Sequence, residues 1–362
     1  MDQRQSPSAL PRRTTAPDAY PYATQGKKRI REHWVQFLAA GKSSAALRTH
    51  DILFFPGERA LELPLYDHLG IDRAHLHGVE CDRTIAANIC AAQFGFPLYT
   101  GTCAAFLKAR AKADDAGRCL DGAWLDYDGH CYAYASDIDA TVALLRPTRG
   151  SALSITSLVG RDREVVLDSA ISVSLLRSCV PEMRFQLLAD SLSRHLVGDE
   201  PPGAPDAAMT HYNMIGREIS MFMLIVHAIG ARNNPAFVAE MKKISSMIRE
   251  QTRGEMKMRH HASPENRPYP IVTVPSVRGL FERALADVWI EDLARFGYIS
   301  HVASRLMTWQ FRFGAARHDR ERKPLLTVVR ECLDLWISRR IHLYNARGAL
   351  ERTPVNCQYC GQ

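Results

Sequence analysis

From 51 to 157 short apolar runs take turns with stretches whose apolar residues recur at helical spacing. "DILFFPG" (51–57), "AHLHGVECD" (74–82), "FPLYTGTC" (96–103), "GAWLDYDG" (122–129) and "SALSITS" (151–157) read as strands that run into turn-forming residues. Between them "ERALELPLYDHLG" (58–70), "RTIAANICAAQFG" (83–95), "AAFLKARAKAD" (104–114) and "SDIDATVALLRP" (136–147) read as helices, the first two stopped by glycine. Strands regularly interleaved with helices predict a mostly parallel α/β sheet with both faces covered. Right-handed crossovers make it doubly wound.

The flanks are less regular. Residues 1–25 are rich in Pro, Thr, Ser and Gln and read as a disordered tail. Ile30, Trp34 and Phe37 then mark one face of a helix between Lys27 and about Arg48. After the fifth strand, "AAMTHYNMI" (207–215) and "SMFMLIVHAI" (220–229) flank the polar stretch Gly216-Arg217-Glu218-Ile219. They predict an antiparallel hairpin at the sheet edge, which would bring the sheet to seven strands. One buried helix through the stretch is the alternative; Gly216 and the β-branched and aromatic content favour strands. Beyond Ala231 the pattern is helical, with basic stretches. The expected organisation is therefore a tail (1–25), a sheet domain with an N-terminal helix (26–230) and a helical basic region (231–362).

Composition narrows the classes. At 362 residues the chain is long enough for one large core plus an appendage. A hydrophobic content of 46% is ordinary for a globular protein, and no apolar run reaches a membrane span; Met221–Val226 is far too short. The reading is a cytoplasmic protein without a membrane partner. Nine cysteines, an odd number without a framework, read as reduced thiols. A net charge of +7 permits an acidic partner such as nucleic acid without requiring one.

Ligands of a doubly wound sheet lie beyond the carboxyl ends of the strands. Pro56-Gly57-Glu58 closes the first strand, and Gly57 lets a ligand approach the backbone. Glu80 ends the second strand 23 residues later, near the offset at which an acid receives the ribose hydroxyls of a nucleoside cofactor. Asp126 ends the fourth. Each has a bland reading as well: a turn glycine, an acid capping the next helix, a loop hydrogen bond. Glu62 and Tyr66, one helical turn apart, read as packing residues.

With these features the chain resembles the class I S-adenosylmethionine-dependent methyltransferases, a Rossmann-like superfamily. Five βα units, the Gly turn, the two strand-end acids and an edge hairpin carry the resemblance, over roughly residues 50–230. It implies S-adenosylmethionine as cofactor. Pro56, Gly57 and Glu58 would then shape the methionine pocket, Glu80 would bind ribose, and Thr102 and Cys103 would lie beside the adenine. Asp126 would accept a hydrogen bond from the methyl acceptor, and Tyr127 would stack on a planar substrate. The pattern departs from the family in three places, one of them after the third strand, where Thr102 or Cys103 stands instead of the usual acid. The first loop, "FFPGERALE", has one glycine, and Asp126-Tyr127-Asp128-Gly129 lacks the prolines of the amino-methylating members. A non-catalytic Rossmann-like protein that binds nucleic acid or another partner is the rival class. A third reading takes Asp126 and Asp128 as the loop of a Mg²⁺-dependent phosphatase of the haloacid-dehalogenase type. That family places its acid pair on the first strand, whereas three βα units come first here.

Other motifs are weaker. "GKSS" (41–44) is similar to the end of a phosphate-binding loop, but Gln36 stands where the earlier glycine belongs. Cys357 and Cys360 have zinc-ligand spacing but form half a site, so two free thiols in a tail is the preferred reading. Cations gather at Lys242, Lys243, Arg249, Arg253, Lys257 and Arg259. A second group, Arg312, Arg317, Arg320, Arg322 and Lys323, follows Trp309, Phe311 and Phe313. Cations beside aromatics suit a DNA or RNA substrate. The alternative is a solvated basic face whose aromatics turn into the core.

Overall fold

The computed structural model describes residues 24–113, 119–159, 163–197, 205–259, 272–299, 305–345 and 347–350. Nearly all of the expected N-terminal tail, and Cys357 and Cys360, lie outside these residues. The chain opens with α1 (Gln25–Ala39) and the short α2 (Ser44–Leu47). The alternating pattern then appears in the expected order: β1 (Ile52–Phe54), α3 (Leu63–His68), β2 (Leu76–Glu80), α4 (Arg83–Ala92), β3 (Leu98–Thr100), α5 (Cys103–Arg110), β4 (Gly122–Asp126), α6 (Ala135–Leu144) and β5 (Ala152–Val159). The strands place successive side chains on opposite faces, as period two requires. Leu53, Ala123, Leu125, Leu153 and Ile155 join the larger core, while Ile52, Phe54, Trp124 and Ala152 join a second core against α1 and α3. Helices therefore cover both faces.

The next stretch corrects one expectation. Residues 207–229 are not a hairpin. They belong to one helix, α9 (Pro205–Ala231), which follows α7 (Arg163–Cys179) and α8 (Glu182–Val197). Ile219, Met221 to Val226, Ala228 and Ile229 are all buried. A helix apolar on every side sits inside a protein, and it lacks the polar stripe that would separate it from paired strands.

The sheet is completed by residues expected to be helical. After α10 (Pro235–Arg259) and α11 (Pro275–Arg283) come β6 (Leu285–Ala286), β7 (Val288–Ile299), β8 (Arg305–Ala315), β9 (Lys323–Pro324), α12 (Leu325–Ser338) and β10 (Ile341–Tyr344). The main sheet has eight strands, not seven, in the order β10-β7-β8-β5-β4-β1-β2-β3; β6 and β9 form a separate ribbon. Within the main sheet only the β5–β8 and β8–β7 pairings are antiparallel; the β6–β9 ribbon is antiparallel too. Such an α/β sheet is compatible with a Rossmann-like fold. It draws strands from both sides of residue 231, so no boundary there divides a sheet domain from a helical region. Among the described residues no helix is long and apolar enough to cross a membrane.

A buried charge holds the late strands to α9. Glu218 is 1% exposed. Its Oε2 accepts from Arg295 of β7 at 2.8 Å and from the Trp336 indole of α12 at 3.0 Å, and its Oε1 accepts from the Trp309 indole of β8 at 2.9 Å. Arg295, fully buried, also donates to the Trp336 carbonyl at 2.7 Å and to the Arg339 carbonyl. The polar turn read between two strands is thus one helical turn whose charge is spent inside the core. Glu218→Gln keeps the shape but leaves the Arg295 cation buried without its anion. Urea unfolding should show a loss of about 3–5 kcal/mol, and Glu218→Gln combined with Arg295→Met should lose less than the sum of the two. A loss for Glu218→Gln below about 1 kcal/mol would mean that the pair does not hold these elements together.

Candidate functional site

Strand register sets a row of groups at one end of the sheet. Phe54 lies opposite Gly78 on one side and Trp124 on the other. Glu80 pairs with Thr100, and Asp126 with Thr156. Two residues beyond Phe54, Pro56 leaves the sheet level with Glu80 and Asp126. The row lies at the carboxyl ends of the parallel strands, and between β1 and β4 the chain changes its direction of winding. Ligands of open α/β sheets bind at such a point.

The β1 exit is a turn, not the start of a helix. Gly57 takes φ +53°, in the left-handed region open to glycine, and Ala60 follows at +42°. Helical structure begins only at Leu63. Pro56 is buried and Glu58 exposed, and the Glu58 carboxylate accepts from the Asn88 amide at 2.8 Å. At the β2 exit the two acids divide the work. Asp82 caps α4, accepting from the Thr84 and Ile85 backbone at 2.7 and 3.1 Å. Glu80 is not the cap. Its Oε1 accepts from the Asp82 N–H at 2.9 Å, while Oε2 has no partner among the described residues. Thr102 is exposed and caps α5 through the Ala105 N–H at 3.2 Å. Cys103 is buried; burial first, then the Asp137 carboxylate, push its thiol up to about 12. A groove of about 300 Å³ runs between α5 and α6, lined by Ala104, Leu107, Asp137, Ala140 and Ala143 among others.

Asp126 has a partner that its local sequence does not announce. The Lys27 ammonium, in the first turn of α1, forms an ion pair with its Oδ2, and the two side chains are 6% and 16% exposed. The same stripe of α1 continues inward. Arg31 donates to Glu62 at 2.6 Å, the Trp34 indole donates to the Tyr66 hydroxyl at 3.0 Å, and Leu38 is fully buried. Glu62 and Tyr66 are packing residues, as their spacing suggested. Tyr127 is buried, T-shaped to Phe55, and donates to Asp137 Oδ2 at 2.9 Å. Its ring stacks on Tyr134 with centroids 3.6 Å apart and planes 4° apart. One face of Tyr127 is therefore covered, and Tyr134 is the outer ring of the stack. Burial, then the Asp128 and Asp137 carboxylates, raise the Tyr134 phenol above its ordinary value.

Lys27, Tyr134 and Asp137 were not singled out from the sequence. A signal for Lys27 was present: Lys27, Arg31, Trp34 and Leu38 repeat at helical spacing, so two cations share the apolar stripe of α1.

The remaining motifs do not join this row. Asp126 faces an ammonium rather than a second carboxylate, and among the described residues no group of three or more His, Cys, Asp or Glu could hold a metal ion. The donor set does not fit the Mg²⁺ phosphatase reading. Trp309, Phe311 and Phe313 are buried and lie in the core, so they offer no surface to unstacked bases. Lys323 pairs with Glu331 at 2.8 Å, and Arg322 with Asp319 at 2.9 Å. On α10, Lys242, Lys243, Arg249 and Arg253 are exposed, although Arg249 pairs with Asp168 at 2.9 Å. The side chains of Lys257 and Arg259 lie outside the described residues.

No protein-family model matches the chain, and no curated protein matches it in sequence.

The Lys27–Asp126 pair can be measured directly. A double-mutant cycle with Lys27→Met and Asp126→Asn should give a coupling of about 1–3 kcal/mol in chemical denaturation. Independent effects of the two substitutions would show that α1 is not held to β4 through this contact.

Proposed function

We propose that the protein is an S-adenosylmethionine-dependent methyltransferase whose cofactor lies across the ends of β1 and β2. The observation that carries this reading is the row of Pro56, Glu80 and Asp126 on neighbouring parallel strands, at the point where the winding reverses. The strand order β3-β2-β1-β4-β5, with an antiparallel strand beyond β5, suits the resemblance drawn from the sequence.

The residues present fit such a cofactor. Gly57 gives its backbone a side-chain-free approach at φ +53°, so Pro56, Gly57 and Glu58 wall the methionine end. Glu80 keeps one carboxylate oxygen without a partner among the described residues, which would accept ribose hydroxyl protons. Thr102 and Cys103 stand at the head of α5, beside the groove that α5 and α6 leave open for a flat, mostly apolar ring. The cofactor supplies the reactive methyl group. The chain's part is to align the acceptor in line with that methyl and to exclude water. Asp126, kept beside the Lys27 ammonium, accepts the acceptor's hydrogen bond, and the Tyr127–Tyr134 stack forms a rigid wall behind it. Among acceptors, a DNA or RNA substrate is supported by the exposed cations of α10 alone, because the aromatic half of that argument is lost to the core.

A second reading is favoured by the same pair. Lys27 already occupies Asp126, and Tyr127 is closed in, as in a scaffold that binds a partner without catalysis. Calorimetric titration with S-adenosylhomocysteine separates the two. The methyltransferase reading expects binding that Glu80→Ala weakens by about 1.5–3 kcal/mol, or about tenfold to a hundredfold. Folded wild-type protein that shows no binding at millimolar ligand would leave the scaffold reading in place.

A further inference from the structure

The opposite end of the sheet holds a second set of charged groups, assembled by three links. The α1–α2 link carries Lys42, next to Gly41 at φ +74°. Asp121 immediately precedes β4. The α6–β5 link carries Arg146 and Arg149 and closes on Gly150 at φ +61°, where an added Cβ would come within 3.9 Å of Lys42 Cε. Asp121 is completely buried. Its Oδ2 accepts the Asp51 N–H at 3.1 Å and faces Arg146 at 3.4 Å and Arg149 at 4.0 Å. The Lys42 ammonium donates to the Leu38 carbonyl at 2.7 Å.

Among the described residues, the neighbouring acids Asp51 and Asp292 are engaged elsewhere. Asp51 turns its carboxylate to His77 at 2.9 Å, His75 at 3.3 Å and Arg110 at 3.5 Å. Asp292 lies 3.9 Å from Arg312 and accepts from Arg339 at 2.8 Å. Among the described residues, Asp121 is the carboxylate that Arg146 and Arg149 face, and it is the acid that bears on Lys42. Arg149 is half exposed, so the cluster opens to solvent on its side.

Among the described residues, Asp121 Oδ1 and His50 Nε2 lack partners here, and so do two donors beside them, Ser151 Oγ after Gly150 and Arg312 Nε. His50 is 2% exposed, and Asp121, Lys42 and Arg149 are the charges that bear on it. Its Nδ1 lies 2.7 Å from the Ala46 carbonyl, which only accepts, so Nδ1 carries the proton and Nε2 of the neutral ring is an acceptor. Asp121 Oδ1 and His50 Nε2 are therefore acceptors, set among excess cations. Burying an unsatisfied polar atom costs about 1–3 kcal/mol. A ligand that relieves both conditions carries negative charge and also donates a hydrogen.

We propose that this cluster is a binding site for inorganic phosphate in its monohydrogen form, with Lys42, Arg146 and Arg149 on the anionic oxygens and Asp121 Oδ1 or His50 Nε2 accepting the phosphate hydrogen. Sulfate carries no hydrogen near neutral pH and leaves both acceptors unmet. A phosphate monoester loses its second proton near about pH 6 and is in the same position above it. Burial, then repulsion from Arg312, hold the Lys42 ammonium down to about 8, with Asp121 acting the other way. The charged and titratable groups around it are Arg312 on β8, Asp121 before β4, His50 before β1, and Arg146 and Arg149 on the α6–β5 link. Binding consequently weakens as pH rises through about 8, where Lys42 loses its charge.

The site is at the other end of the strands from the proposed cofactor, so its test is independent of that reading. The full chain is titrated calorimetrically at pH 7.5 and constant ionic strength with inorganic phosphate, sulfate and a simple phosphate monoester. Phosphate is expected to bind at least about tenfold more tightly than the other two. Arg149→Gln and Lys42→Gln, both on partly open side chains, should each weaken it by about tenfold while leaving thermal unfolding without phosphate nearly unchanged. Absence of phosphate binding at about 10 mM, equal binding of sulfate or the monoester, or unchanged affinity in both variants would overturn the proposal.

Discussion

A carboxylate withdrawn from water costs several kcal/mol unless donors surround it, and Glu218 meets that requirement with donors from three separate elements. Arg295 comes from β7, Trp309 from β8 and Trp336 from α12. None is near Glu218 in sequence, so the bonds form only when the late hairpin has docked against α9. That docking brings β8 beside β5 and covers an edge that would otherwise expose unpaired backbone groups. The aromatic side chains around the pair then fill the core: Trp336 stacks with Phe311 and meets Phe222 edge-on. One buried ion pair thus ties the completion of the sheet to the burial of its most apolar helix.

The N-terminal helix follows the same rule with the signs reversed. Lys27 and Arg31 are cations on a buried face, and each is met by an acid from another element, Asp126 and Glu62. Because α1 has 15 residues, it spans about 22 Å. It starts at the carboxyl ends of the strands, where Lys27 meets Asp126, and the link after it places Lys42 at the amino ends. The cofactor site and the phosphate site proposed above both take a lysine from this one region of the chain.

Much of the fold was legible because local physics was sufficient. In residues 51–157 strand and helix periods alternate cleanly, and glycines and capping residues mark the breaks, so each element appears in the expected order. Legibility failed where burial removed the contrast on which pattern reading depends. In the described part of α9 the apolar residues from Ile219 to Ile229 are buried, and Arg217, Glu218, Ser220 and His227 spend their polar groups on internal bonds. In β7 a bulge between Ile290 and Asp292 shifts the alternation, so Val288 and Ile290 fall out of phase with Leu293 and Arg295. In β8 the alternation was intact, with Met307, Trp309, Phe311 and Phe313 buried on one face. The intervening Arg312 and the basic loop beyond it made that stretch look like a solvated surface.

The candidate site divides along the same line. The sequence by itself determined that Gly57 sits in a turn after the first strand and that acids close the second and fourth, because strand ends and turns are written in adjacent residues. Only the tertiary structure decided what those acids do. It gave the cap of α4 to Asp82 and left Glu80 an open oxygen, covered Tyr127 with Tyr134, and set Lys27 against Asp126 across 99 positions of chain. Pairings of that span form when apolar faces close on one another and bring the charges together, and no local spacing encodes them.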